Sequence, residues 1–198
     1  MIIGLTGGVA AGKSTVARML REKYGAQVVD ADQLAHQVMA KSTPTYQKIV
    51  AHFGRQFLRP DGEIDRTKLA ELVFHEPEKL RQLEALVHPE VIRRLREQIA
   101  TFRRQNETLV VVVPLLYEKG LEELVDKVWA VVANDEEKVR RLMARGLSKE
   151  QAWLRIRAQL PDAEKARRAD LVIYNNGSLK ELEEQVEWCW QETVGRPD

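Results

Sequence analysis

The sequence predicts a three-layer α/β domain on a five-stranded parallel sheet, and three observations carry that reading. Five short apolar runs, Ile2–Thr6, Gln27–Asp30, Leu109–Val113, Val128–Ala133 and Leu171–Tyr174, are separated by segments of helical spacing. The first two, with the helix between them, form a βαβ unit, and parallel strands of this kind need a crossover. The stretch between the second and third runs is helical throughout and longer than a normal crossover, so it reads as an inserted lobe.

Each element has a local reason. Ile2–Thr6 runs straight into glycines, and Lys13–Lys23 then places Val16, Met19 and Leu20 on one helical face. Val28 and Val29 make the second strand, which ends in polar residues. Leu34–Met39 starts the next helix, for which Asp32 is a fair N-cap. Tyr46–Phe53 has helical spacing and stops at Gly54, and Pro60-Asp61-Gly62 is a turn. Asp65 reads as the cap of a helix through Leu69, Leu72, Val73 and Phe74. Pro77 opens a helix to about Leu86, and Pro89 begins or kinks another that runs to about Phe102. After the fourth strand Asp135 caps a helix, and an Arg-rich helical block extends to Ala169. Ser178 caps a closing helix through Val194, and the tail Gly195–Asp198 reads as frayed.

Composition excludes several classes. The 198 residues are 44% hydrophobic and 31% charged, ordinary for a globular chain and unlike a disordered or fibrous one. Lys and Arg total 31 against 30 Asp and Glu, a net charge of +1, so no attraction to nucleic acid is implied. No apolar run approaches the ~20 residues of a membrane span. Met1-Ile2-Ile3-Gly4 has no basic region ahead of it, so no secretory signal is expected. The single cysteine, Cys189, cannot form an internal disulfide and reads as a partly buried thiol, and no Cys/His spacing resembles a zinc site. These features fit a cytoplasmic enzyme without identifying one.

Gly7-Gly8-Val9-Ala10-Ala11-Gly12-Lys13-Ser14, followed by Thr15, fits G-x-x-x-x-G-K-[ST] between a strand and a helix. Glycines let the backbone curl so that successive N–H groups point at phosphate oxygens, and the helix after Gly12 presents its positive end to them. Lys13 is the expected partner of the β- and γ-phosphates of a nucleoside triphosphate, and Ser14 the ligand of Mg²⁺. A guanine-reading Asn-Lys-x-Asp is missing: Asn134-Asp135-Glu136-Glu137 stands in its place. The third strand ends in Pro114 rather than in the acidic residue usual in motor ATPases. With a helical lobe large enough to cover a second substrate, a kinase is favoured over a hydrolytic switch.

Asp30-Ala31-Asp32 closes the second strand, where an open parallel sheet lines its ligand crevice. Alternate residues share a side, so both carboxylates can point to one place. There a carboxylate can orient or deprotonate an attacking hydroxyl, or hold Mg²⁺ through water; capping is the simpler alternative, and Asp32 is favoured for chemistry over Asp30. Arg141 and Arg145 have the spacing that puts two guanidiniums on one helical face. In a mobile lid such a pair can clamp phosphates, although a charge run is more often a solvated face.

At this point the chain resembles the dephospho-coenzyme A kinase family over nearly its whole length. The resemblance rests on Gly4-Leu5-Thr6-Gly7-Gly8 entering the phosphate loop, Asp30-Ala31-Asp32, Tyr46, Phe53-Gly54, Asp61-Gly62, Val73-Phe74, Leu83-Glu84 and His88-Pro89. It continues with Pro114-Leu115-Leu116-Tyr117-Glu118, Gln159 closing Arg155-Ile156-Arg157-Ala158, and Ala169–Asn175. The phosphate loop alone is generic, whereas the Asp-Ala-Asp, His-Pro and Pro-Leu-Leu-Tyr-Glu elements in this order are far more specific.

The resemblance implies a P-loop kinase fold: core 1–41, 105–133 and 166–194, a helical coenzyme A lobe at about 42–104, and a lid at about 134–165. It implies Mg²⁺-assisted transfer of the ATP γ-phosphoryl to the ribose 3′-hydroxyl of dephospho-CoA, the last step of coenzyme A synthesis. It makes Asp32 the base, Lys13 and Arg141 catalytic, Gly8–Thr15, Arg145 and Asn175 nucleotide-binding, and His88 and Leu115 part of the acceptor site. The family often has Gln three residues before the first lid arginine; here that residue is Lys138, so the lid's hydrogen bonding departs from the pattern. A shikimate-type kinase and a nucleotide-dependent switch are the alternatives, and a monomer remains open.

Overall fold

The computed structural model describes residues 1–195, so the fraying expected of Arg196, Pro197 and Asp198 lies outside the described residues. The chain divides into two compact units, one of Met1–Asp30 with the chain from Ile99 onward, the other of Ala31–Gln98.

The first unit holds five parallel strands, β1 (Ile2–Gly7), β2 (Gln27–Asp30), β3 (Leu109–Val112), β4 (Lys127–Val132) and β5 (Leu171–Tyr174), in the order β2-β3-β1-β4-β5. From β1 the chain first builds one side of the sheet and then crosses to the other, so β1 lies at the switch point where such sheets bind ligands. Gly4 pairs with Val111 on one side and Val128 on the other. The fully buried residues of β1 alternate between faces. Ile3 and Leu5 join Val110, Val112, Trp129, Val131 and Ile173 beneath helix α1 (Lys13–Tyr24) and helix α9 (Leu179–Val194), which contribute Val16, Leu20, Leu182, Val186 and Trp190. Each large apolar side chain buried there contributes ~1.5–3 kcal/mol. The Trp129 indole N–H donates to Thr193 Oγ1 at 3.1 Å, and Trp190 stacks on Tyr24 with centroids 4.8 Å apart. On the other face Gly4 admits Val125, whose Cγ2 would stand 3.0 Å from an added Cβ.

The second unit carries α2 (Ala31–Val38), α3 (Pro44–Phe53), α4 (Arg66–His75) and most of α5 (Pro77–Gln105). Thr43 caps α3 by accepting from Tyr46 N–H at 3.0 Å, and Asp65 caps α4 by accepting from Lys68 N–H at 3.0 Å. Ile49, Phe53, Leu69, Val73, Val87, Val91 and Leu95 are buried. Two expectations are corrected here. The helix opened by Pro77 does not stop near Leu86 and Pro89 does not begin another: α5 runs through it, losing one backbone N–H while Val87, Val91 and Leu95 keep both flanks buried. Asp32 is not an N-cap, because α2 begins at Ala31 and places Asp32 in its first turn.

The Arg-rich block forms α6 (Asp135–Ala144), α7 (Lys149–Arg157) and α8 (Asp162–Arg168), with α8 packed on β4 and β1. Asn134, not Asp135, is the N-cap of α6. Ser148 and Ser178 open α7 and α9 with complete capping boxes. Among the described residues no helix is long and apolar enough to cross a membrane.

Cys189 is fully buried, deeper than the partial burial expected, and burial pushes its thiol up to about 12. At pH 8 we expect no reaction with an aromatic disulfide reagent in the folded protein and one thiol released per chain in guanidinium. Stoichiometric labelling of the folded protein would contradict this packing.

Candidate active site

A phosphate cradle opens where β1 ends at Gly7 and closes where α1 begins at Lys13. Between them Ala10 and Gly12 take left-handed backbone conformations, φ 59° and 111°, and Ala11 N–H donates to Gly8 O at 3.2 Å. The Thr15 and Val16 N–H groups donate to Gly12 O at 3.0 and 3.1 Å, so the positive end of α1 lies at Lys13 and Ser14, and no acidic side chain stands in that turn. Ser14 is exposed in the same turn. Lys13 Nζ reaches back to Gly7 O and Gly8 O, both at 2.8 Å.

The loop is braced at its carbonyls. Arg141 Nη1 donates to Ala10 O at 3.0 Å and Ala11 O at 3.2 Å, and its Nη2 donates to Asn175 O at 2.8 Å. Buried Asn175, just beyond β5, adds its own Nδ2–H to Ala11 O at 2.8 Å. Glu137 Oε1 accepts from Arg141 Nε at 2.8 Å; hydrogen bonds from Arg140, with help from the Arg141 charge, hold its carboxyl down at about 2. Arg141 thus sits on the loop without any swing of α6. Arg145 does not share its place: α6 ends at Ala144, Arg145 is the C-cap, and the residue is exposed.

The loop is also held at its amides, by residues to which the sequence alone assigns no role. Val9 N–H donates to Gln159 Oε1 at 2.8 Å, and Gly8 N–H to Asp162 Oδ1 at 2.9 Å. Val9 and Ala10 pack against Val139, Leu142, Ala152, Trp153 and Ile156 of α6 and α7. Lys138, the departure noted above, is buried and pairs with Asp135 at 2.7 Å and Asp162 at 3.1 Å. A cavity of about 910 Å³ adjoins these groups, bounded by Gly8, Val9, Ala133, Lys138 and Asp162 among others. Lys165, fully buried, donates to Pro114 O at 2.6 Å and pairs with Glu118 at 3.0 Å, tying α8 to the Pro-Leu-Leu-Tyr-Glu turn, in which Leu115 is half-buried. The position of Glu118 in that motif is the one sequence signal for this pair.

Asp30 closes β2 in the first unit. Asp32 and half-buried His88 belong to the second unit, His88 inside α5. Among the described residues no three His, Cys, Asp or Glu side chains form a metal site. The exposed Ser14 hydroxyl at the start of α1 is a hard oxygen donor, chemistry that fits a Mg²⁺ brought in with phosphates, since Mg²⁺ takes oxygen ligands and is seldom caged by protein alone.

A Cβ on Gly12 would overlap Asn175 Nδ2, and its φ of 111° disfavours any other residue. Gly12→Ala is expected to cost ~1–3 kcal/mol of stability and at least about tenfold in ATP affinity, 1.4 kcal/mol being tenfold. A thermal melt and a calorimetric ATP titration check this; unchanged values in both would remove the packing argument.

Known proteins resemble this chain in sequence and fold. The family model described as dephospho-CoA kinase matches residues 1–181. A dephospho-CoA kinase of Carboxydothermus hydrogenoformans is 43% identical, covering 96% of each chain. The solved dephospho-CoA kinase from Campylobacter jejuni is 30% identical, covers 96% of each chain and has a TM-score of 0.72. The shikimate kinase of Bacteroides thetaiotaomicron, 17% identical with a TM-score of 0.52 over 99% of each chain, shares the P-loop kinase fold alone. The chain therefore belongs to the dephospho-CoA kinase family.

Proposed function

We propose that this chain moves the γ-phosphoryl of ATP to the ribose 3′-hydroxyl of dephospho-CoA, giving CoA and ADP. The observation that carries the reading is the phosphate loop, with Lys13 and Ser14 at the positive end of α1, in a chain of this family. The hydroxyl oxygen forms a bond to the γ-phosphorus while the bond to the β–γ bridging oxygen breaks. The proton passes to the Asp32 carboxylate and on to solvent. Lys13 and the N–H groups where the loop enters α1 take the charge on the phosphate oxygens, while Gly8 and Val9 N–H stay with Asp162 and Gln159 and Arg141 keeps the loop backbone in place. Ser14 would hold Mg²⁺, which would supply neutralisation of phosphate charge when bound.

Arg145 and Asn175 serve the nucleotide, and His88 and Leu115 the acceptor. The helices between residues 42 and 104 form the coenzyme A lobe, and residues 134–165 the lid. Both substrates are soluble small molecules, in keeping with a cytoplasmic place of work. Neither nucleic acid nor membrane is needed.

ATP consumption with dephospho-CoA, AMP, shikimate or no acceptor tests the reading: turnover is expected with dephospho-CoA alone. Turnover only with another acceptor, or without any, overturns it. Lys13→Ala is expected to abolish turnover with little change in the circular-dichroism melt, because the ammonium meets backbone carbonyls and phosphate rather than core. Asp32→Asn keeps the shape and loses the basicity, so kcat should fall by ~10²–10⁴ with ATP affinity little changed. A variant keeping more than about a third of kcat has lost far less than a base supplies, and would leave Asp32 a purely structural place in α2.

A further inference from the structure

We propose that Asp162, held by Lys138, is a positioning residue for the donor nucleotide; this rests on the reading of the phosphate loop just given. Asp162 begins α8, beyond α6 and α7, yet its carboxylate joins three separate parts of the first unit. Oδ1 accepts from Gly8 N–H at 2.9 Å, at the entrance to the phosphate loop. Oδ2 accepts from Ala133 N–H at 3.2 Å, where β4 ends, and from Lys138 Nζ at 3.1 Å, on α6. β1 and β4 are register neighbours, Gly7 opposite Val131, so one carboxylate bridges the ends of the two strands that flank the cradle.

Position 8 is the site of a requirement that the phosphate pattern does not make. The pattern leaves that residue open, but a Cβ there would stand 2.5 Å from Asp162 Oδ1. Gly8 lets the carboxylate approach its own N–H. The partner side chains are almost fully enclosed, Lys138 at 4% exposure and Asp162 at 11%. A charge-assisted bond in such a place is stronger and better directed than a neutral one. Lys138 is shared with Asp135, which is 48% exposed, so loss of Asp162 leaves the lysine one counter-charge and the fold a way to survive.

The consequence is kinetic. The amide that Asp162 holds leads into the loop that takes the triphosphate, so its loss is felt in donor binding and hardly at the acceptor. Asp162→Ala is expected to raise both the Kd and the KM for ATP about tenfold, with kcat within about threefold and the KM for dephospho-CoA unchanged. Asp162→Asn keeps an oxygen for Gly8 but faces Lys138 without charge, and should lose about fivefold. Adding Lys138→Gln to Asp162→Asn replaces the ion pair by an amide pair and should recover ATP affinity to within about twofold.

Calorimetric ATP titration and steady-state kinetics, each with a thermal melt, test the proposal. If Asp162→Ala does not fold, Asp162→Asn and the double variant carry the test. Melting temperatures that fall while ATP affinity stays at wild type would make Asp162 structural only and overturn the proposal. An equal rise in the KM for both substrates, or a double variant no better than Asp162→Asn, would overturn it too. ATP binding is read without an acceptor. Failure of the wild-type protein on dephospho-CoA would therefore overturn the functional reading alone, and the ATP titrations would still establish or refute the role of Asp162.

Discussion

A backbone that must curl around an anion cannot also satisfy all of its own polar groups, and that constraint shapes the first unit. A helix would pair the loop's N–H groups with its carbonyls; a cradle turns the N–H groups inward and leaves carbonyls facing the protein. Ala10 O and Ala11 O go to Arg141 and Asn175, while Gly7 O and Gly8 O go to Lys13. The N–H groups of Gly8 and Val9 go to Asp162 and Gln159. Side chains from α6, from the start of α8 and from the end of β5 are thereby bound to one short loop.

That loop also has an apolar anchor. Val9 and Ala10 pack into the small cluster of α6 and α7, so the Arg-rich block is joined to the cradle by packing as well as by hydrogen bonds. A movement of α6 would therefore carry Arg141 and the loop carbonyls together, in contrast to an arginine that arrives from solvent. Arg145, exposed beyond the end of α6, stands apart from this bracing.

The Lys138–Asp162 pair shows how a departure from a family pattern is absorbed. A buried ammonium in place of an amide needs a counter-charge, and Asp162 and Asp135 supply it. The same carboxylate then serves the loop amide. A change that looks like a loss of lid hydrogen bonding is instead the centre of a buried network.

What the sequence by itself determined was local in origin. Strand and helix positions followed from periodicity, the caps at Asp65 and Ser178 from short side chains that reach N–H groups two or three residues on, and the phosphate loop from a contiguous pattern. Only the tertiary structure decided the strand order, the passage of α5 through Pro89, the seating of Arg141 on loop carbonyls and the use of Gln159, Asp162 and Lys165. These depend on partners over a hundred residues away for Arg141 and Asp162, such as Ala10 and Gly8. Hydrogen bonds of that range leave no spacing in the chain, because the fold, not the sequence interval, sets the distance between the groups.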